Sequence, residues 1–370
     1  MRNKMKVLAL NSSQRQDGES RTELMLNHLV EGMREAGAEV EVVNLRDKKI
    51  NYCIGCFSCD TITPGKCIIQ DDMTRELYPK WLASDLCIYA TPLFHWTLNA
   101  PMKAFIERTW PVMQPFFVKS ADGRWVHPMR QESPKAVVLS VAGFAENWIF
   151  ESLSNYANFL WGRKGKLVAE IYRPGAMYMT NLGPEKLADI LGATEQAGRE
   201  LILNNCVLPE TLARIQQPVA DLETVAKAAN MFWQTCIDEG VNPKAFGERI
   251  RIPRPHSLDD YLILMHLAFS AKGAGDAKAT VQFEFTGEVE GDCNIVIDNG
   301  TIEGSIGKAS QPNAIVRAPF ELWMDIIAGK ANPIQMFMEK KCSAEGDLSM
   351  LMKMSQWFGL SPYLSKSEAD

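Results

Sequence analysis

No apolar run in the chain reaches the ~20 residues that a membrane-spanning helix needs. The densest stretch, residues 261–269, is short and holds His266. The chain also lacks a surplus of basic residues: 39 Lys and Arg face 45 Asp and Glu, for a net charge of −6. A nucleic-acid binder generally carries a basic face, so that class is set aside. The basic start, residues 1–6, leads into an apolar run of only residues 7–10. That is too short for the core of a secretory leader, and a cytoplasmic location is expected. Cysteine is sparse except in one place. Of nine, Cys53, Cys56, Cys59 and Cys67 fall within fifteen residues. A secreted disulfide scaffold would be short and cysteine-dense throughout, which excludes it here. One tight group in a long chain points instead to metal binding or redox chemistry.

What is present is ordinary globular composition, 46% hydrophobic and 23% charged over 370 residues. At ~150 residues per domain that makes two or three domains. In the first half, short apolar runs alternate with helical patterns. Strands are expected at residues 6–10, 39–45, 86–90, 136–141 and 167–172, and helices at 22–36, 73–83, 100–110, 148–161 and 185–205. Strands that each lead into a helix imply an α/β fold with a five-stranded parallel sheet covered on both faces. Ligands of such sheets sit at the carboxyl ends of the strands. The loops of interest are therefore residues 11–22, 91–99 and 142–147.

The first of these loops is rich in hydroxyls and carries Arg15 and Arg21. It lies between a strand and a helix N-terminus, where free N–H groups and the helix dipole favour a phosphate. It has neither the G-x-G-x-x-G nor the G-x-x-x-x-G-K-[ST] pattern. Two readings stay open: a phosphate cradle, or a polar loop with Ser20 as a plain helix cap.

Residues 1–205 resemble the flavodoxin-like NAD(P)H-dependent FMN reductases, on two motifs. Asn11-Ser12-Ser13-Gln14-Arg15 with Ser20-Arg21-Thr22 is similar to the family's phosphate loop, Asn11 standing where Gly is usual. Thr91-Pro92-Leu93-Phe94-His95-Trp96 is similar to the loop that meets the isoalloxazine ring, with Phe94 in place of a common Tyr. The resemblance implies a flavodoxin-like sheet, bound FMN and NAD(P)H as donor. Its cofactor residues would be Ser12, Ser13, Gln14, Arg15, Ser20, Arg21, Thr22, Thr91, Pro92, Leu93, Phe94, His95, Trp96 and Gly143, with backbone N–H groups of residues 93–96 facing the flavin. His95 reads either as a proton donor to flavin or acceptor, or as a loop histidine bonded to a neighbouring carbonyl. Trp96 reads as a stacking surface or a subunit contact.

The cysteines Cys53, Cys56 and Cys59 repeat at spacing three, and Cys67 follows after seven residues. Structural zinc usually joins two separated arms. Clustered thiolates at this spacing are closer to iron–sulfur ligation. The pattern resembles the iron–sulfur flavoproteins, which implies a [4Fe–4S] cluster near the FMN. Redox-active or merely reduced thiols, and zinc, are the other readings. Asp71 and Asp72 are expected to cap the helix that follows.

The second half changes texture. Residues 206–254 read as a helical connector with Pro209, Pro218 and the stiff stretch 251–255 as breaks. Residues 255–370 read as an α+β domain. A helix is expected at 258–270, strands at 280–285, 293–297, 301–305, 313–317 and 342–344, and helices at 320–328, 335–340 and 348–358. Asp298-Asn299-Gly300 signals a hairpin, and the sheet is expected to be antiparallel. The strings Ile295 to Gly300, Ile327 to Pro333, Met336-Phe337-Met338 and Gly346-Asp347-Leu348 resemble the sterol carrier protein 2 (SCP2-like) domain. That implies an apolar ligand. Met324, Met336, Met338, Met350, Met352 and Met354 either line a pocket for it or fill a core.

The expected whole is an oxidoreductase passing electrons from NAD(P)H through FMN to a small-molecule or protein acceptor. An electron carrier without turnover, and a hydrophobic-ligand binder with a structural first domain, are the alternatives. A homodimer or homotetramer is expected, with Trp110, Phe116, Phe117 and Trp125 as contact or as a self-packed loop.

Overall fold

The computed structural model describes residues 4–16, 18–250 and 252–358. Residues 1–3, Asp17 of the first loop, Arg251 of the stiff stretch and residues 359–370 of the last expected domain lie outside the described residues. The chain divides into two compact units, the first ending at Val219 and the second beginning at Ala220.

In the first unit five strands form one sheet: β1 (Lys6–Asn11), β2 (Glu39–Asn44), β3 (Leu86–Pro92), β4 (Lys135–Val141) and β5 (Leu167–Arg173). Their spatial order is β2-β1-β3-β4-β5 and every pair is parallel. This is the flavodoxin-like order, whose switch point lies between β1 and β3. The central strands are apolar along their length because both faces are buried. Val7 and Ala9 face one core with Leu29, Ile88 and Ile190. Leu8 and Leu10 face the other with Leu77, Tyr89 and Phe105. The helices are α1 (Arg21–Glu35), α2 (Tyr78–Ala83), α3 (Ala100–Glu107), α4 (Glu151–Leu160) and α5 (Pro184–Asn204).

These elements fall close to the expected spans, with local differences at helix ends. The segment before α2 is a π turn, Met73–Leu77, and the one before α4 a 3-10 turn, Asn147–Phe150. α3 stops at Glu107, short of Pro111, whose ring and missing N–H cannot continue a helix. α1 and α5 cross closely at Gly32 and Gly198. A Cβ on Gly32 would collide with the Glu195 carbonyl, and one on Gly198 with the Leu29 carbonyl.

In the second unit the strands are β6 (Lys278–Thr286), β7 (Gly291–Asp298), β8 (Thr301–Ile306), β9 (Ala314–Pro319) and β10 (Ser343–Gly346), in the order β8-β7-β6-β9-β10. Asn299 (φ 48°) and Gly300 (φ 79°) form the expected tight hairpin turn. The sheet is mixed, not antiparallel: β9 pairs with β6 in parallel. Two hairpins leave β8 running the same way as β6, so the return through residues 307–313 sets β9 parallel to it. The core between sheet and helices is aromatic. Tyr261 meets Phe283, Phe285 and Phe320 with ring centroids 5.2–5.9 Å apart. Met324 is buried there, Met350 and Met354 pack against it, and Met338 and Met352 are exposed. Among the described residues no helix is long and apolar enough to cross a membrane.

Candidate active site

The loops after β1 and β3 are built as one piece. Asn11, at the end of β1, is buried; its amide donates to Asn44 Oδ1 and its Oδ1 accepts from the Ser13 N–H at 3.0 Å. This side-chain bond turns the chain out of the sheet. Ser12 donates both its N–H and its hydroxyl to the Ala90 carbonyl on β3, so its hydroxyl faces the sheet. Asn99 spans the gap. Its Nδ2 donates to the Ser12 carbonyl at 2.7 Å, its backbone N–H to Thr91 Oγ1, and its Oδ1 accepts from Met102 N–H to cap α3. The sequence reading missed Asn99; an Asn immediately before Ala-Pro at a helix start is the signal that points to it.

Ser20 caps α1 by accepting from the Glu23 N–H at 3.0 Å, as the plain reading expects. Arg46 braces the loop from β2. It donates to the Ser13 and Arg15 carbonyls and holds Glu23 with both terminal nitrogens. Arg15 is exposed and Arg21 half-buried; neither guanidinium has a partner among the described residues. The N–H groups of Arg21 and Thr22, in the first helical turn, have no acceptor within the helix. This donor set fits a phosphate: orphan N–H groups, a positive helix end and two free cations. Gln14 turns back, its amide on the Ser12 carbonyl at 3.4 Å.

At the β3 end the residues 94–97 make a tight turn. Phe94 and Thr97 exchange both backbone bonds at 3.1 Å, and His95 (φ 49°) and Trp96 (φ 63°) both adopt left-handed angles. Such a turn favours Asn-Gly; His and Trp there are strained, and strain of this kind collects at functional sites. The N–H groups of Leu93 and Phe94 are taken by Val141 and Thr97, so only those of His95 and Trp96 are open among the described residues. This corrects the expectation that all four face a flavin. Among the described residues the His95 ring bonds no carbonyl; it meets Trp96 edge-on at 5.0 Å. Phe94 and Trp96 are exposed, as is Phe144 on the loop after β4. Gly143 beside it faces Met177, whose sulfur would lie 3.3 Å from a Cβ. The open rings and the two N–H groups match the edge and faces of a planar ring system.

The cysteine segment is anchored at both ends by a buried ion pair. Arg108, just past α3, meets Asp71 at 2.7 and 3.0 Å, the two side chains 1% and 0% exposed. The same guanidinium donates to the Asn51 carbonyl at 2.7 Å and Thr74 Oγ1 at 2.9 Å. Asp71 also accepts from the N–H groups of Asn51 and Thr74. The Thr74 bond is the expected cap; the ion pair was not foreseen. Asp72 turns away and accepts from the Lys49 N–H. Burial alone raises the Asp71 carboxyl, but the bonds from Arg108, Asn51 and Thr74 outweigh it and hold it below the usual 3.8. Gly55 and Phe57 take left-handed angles in the loop itself.

All four thiols are free. Cys59 interacts with Cys67 and Cys53, and burial together with Asp60 pushes it up to about 11. Cys56 is exposed and bonded to Ser58, which holds it below 9.0. Among the described residues no three metal-ligating side chains converge on one point. The donor chemistry nonetheless suits an iron–sulfur group: four thiols on one segment, with Arg108 buried at its ends and Arg130, its Nε buried, against Gly65 within it.

Two family descriptions match this chain. "NADPH-dependent FMN reductase" matches residues 5–127, and "SCP-2 sterol transfer family" matches residues 270–359. One segment of the chain is thus similar to the FMN reductases and a later one to the SCP-2 family. The reductase-type segment holds the loops after β1 and β3 and all four clustered cysteines. It is 37% identical over 107 residues to an iron–sulfur flavoprotein of Archaeoglobus fulgidus, covering 29% of this chain and 46% of that protein. It is 32% identical over 119 residues to one of Methanocaldococcus jannaschii, covering 32% and 59%. The chain thus spans about half the length of these curated relatives. Among solved structures it is similar to an NAD(P)H:quinone oxidoreductase from Methanothermobacter marburgensis, at 22% identity and TM-score 0.41, covering 54% of this chain and 96% of that one. An FMN-dependent NADH-azoreductase of Bacillus anthracis, solved with FMN, gives 14% identity and TM-score 0.40, covering 54% and 99%.

Proposed function

We propose that the first unit is an FMN-dependent oxidoreductase that takes electrons from NAD(P)H and passes them to a small-molecule or protein acceptor. The joined loops at the β1/β3 switch point carry this reading, because they set a phosphate seat and a planar-ring seat side by side. Arg15, Arg21 and the N-terminus of α1 bind the phosphate. The His95 and Trp96 N–H groups orient the ring edge, while Phe94, Trp96 and Phe144 shield its faces from water. His95 is placed to hold a proton at the ring edge or on an acceptor. Bound FMN supplies the hydride acceptor, and the protein supplies position and electronic tuning.

The cysteine segment would hold a [4Fe–4S] cluster through Cys53, Cys56, Cys59 and Cys67. Such a group adds a one-electron store. The SCP-2-type unit would bind an apolar ligand beside its aromatic core. The exposed Phe116, Phe117 and Trp125 favour a homo-oligomer, since interface cores are rich in aromatics; Trp110 instead bonds Asp60 within its own unit. The test is an oxygen-free preparation with its visible spectrum. Flavin bands that bleach on adding NADH or NADPH are expected. Protein that retains no FMN after soaking would sink the reading.

A further inference from the structure

Buried polar atoms without a partner are rare, and each asks for an explanation. Three of the six in the described residues lie around the cysteine segment: Asp60 Oδ1, Arg108 Nε and Arg130 Nε. Asp60 belongs to the segment, and Arg108 and Arg130 approach it from other parts of the chain. Asp60 follows Cys59 and accepts from Trp110 Nε1 at 3.0 Å. Arg130 lies against Gly65, where a Cβ would come within 3.3 Å of its Cδ, and Gly65 N–H bonds the Cys59 carbonyl. Arg108 is 2% exposed, and it interacts electrostatically with Cys67.

We infer that Arg108 is a positioning residue for the cysteine segment, tying residues 51 and 71 together, and that Arg130 supplies positive charge toward an anionic thiolate-ligated group there, the charge of Arg108 being balanced by Asp71. One guanidinium binds the start of the segment through the Asn51 carbonyl and its end through Asp71. A lysine carries the same charge but lacks the planar fork that serves three partners at once. Arg130 contributes charge alone, since among the described residues its side chain bonds neither end of the segment. Positive charge beside a thiolate-ligated cluster stabilises its more negative, reduced form and so raises its potential. This second part rests on the proposed cluster; the first does not.

The experiment compares the full chain with Arg108→Lys and Arg130→Gln. In iron-free protein, hydrogen exchange over residues 51–71 reads the positioning role. Arg108→Lys should exchange at least tenfold faster there, with α1 and α5 unchanged; equal rates would overturn the positioning role. Where Arg108→Lys fails to fold, Asp71→Asn takes its place in the same measurement. After anaerobic reconstitution with ferrous iron and sulfide, Arg130→Gln should keep its iron content. Its one-electron reduction equilibrium should fall about tenfold, ~59 mV. An unchanged potential overturns the charge role. A wild-type chain that takes up no iron overturns the cluster and with it the charge role, while exchange still decides the positioning role.

Discussion

The Asn99 side chain donates to the Ser12 carbonyl at 2.7 Å, and this bond makes one surface of two loops separated by 87 residues. Asn99→Ala removes it, along with the cap on α3, and leaves the buried Ser12 carbonyl with only the longer bond from the Gln14 amide at 3.4 Å. A loss of about 1–3 kcal/mol is expected in urea unfolding. FMN binding should weaken in parallel. A variant as stable as the parent would show the bond to be dispensable.

Arg15→Ala and Arg21→Ala should leave unfolding unchanged, because neither guanidinium has a partner among the described residues. FMN affinity should fall about 10–100-fold for each, the value of a charge-assisted bond. Riboflavin, which lacks the phosphate, should bind parent and variants alike. Equal losses for both ligands would place the phosphate elsewhere.

The His95–Trp96 turn predicts a trade. His95→Asn with Trp96→Gly fits the left-handed angles and should stabilise the unit by about 1–2 kcal/mol per residue. Turnover with NAD(P)H should drop, since the ring seat loses both side chains. A less stable variant would mean that the turn carries no strain.

The Asp71–Arg108 pair predicts a pH dependence. The Asp71 carboxyl sits below its usual 3.8 in the fold. Its contribution is therefore complete above about pH 4 and is lost as pH falls through the lowered value. Hydrogen exchange over residues 51–71 should accelerate on acidification below that point. Asp71→Asn should bring the same loosening at neutral pH and cost about 3–5 kcal/mol, because Arg108 stays buried and charged. Acid-insensitive exchange in the parent would refute this.

Much of the fold was legible because both periodicities are clean. Buried strands such as Leu86–Pro92 are continuous apolar runs, and Asn299-Gly300 specifies its turn by backbone angle alone. The parallel β6–β9 pair was not legible, since hairpin signals report neighbours in sequence and β9 pairs across 33 residues. In the site, the local motifs marked the right loops. The residues that join them were hidden: Asn99, Arg46 and Arg108 act across 87, 33 and 37 residues, and no spacing rule reaches so far. Arg108 lies within the helix expected at 100–110, and only its burial beside Asp71 shows its part.

Gly32 and Gly198 lock α1 against α5, and α1 begins at the proposed phosphate seat. A helix seated backbone to backbone can neither roll nor slide. Its N-terminal donors are thus aimed before any ligand arrives, and the entropy of aiming them is spent when the chain folds, not at each encounter. A site of this kind selects by rejection: what does not match its fixed donors finds no second arrangement to bind.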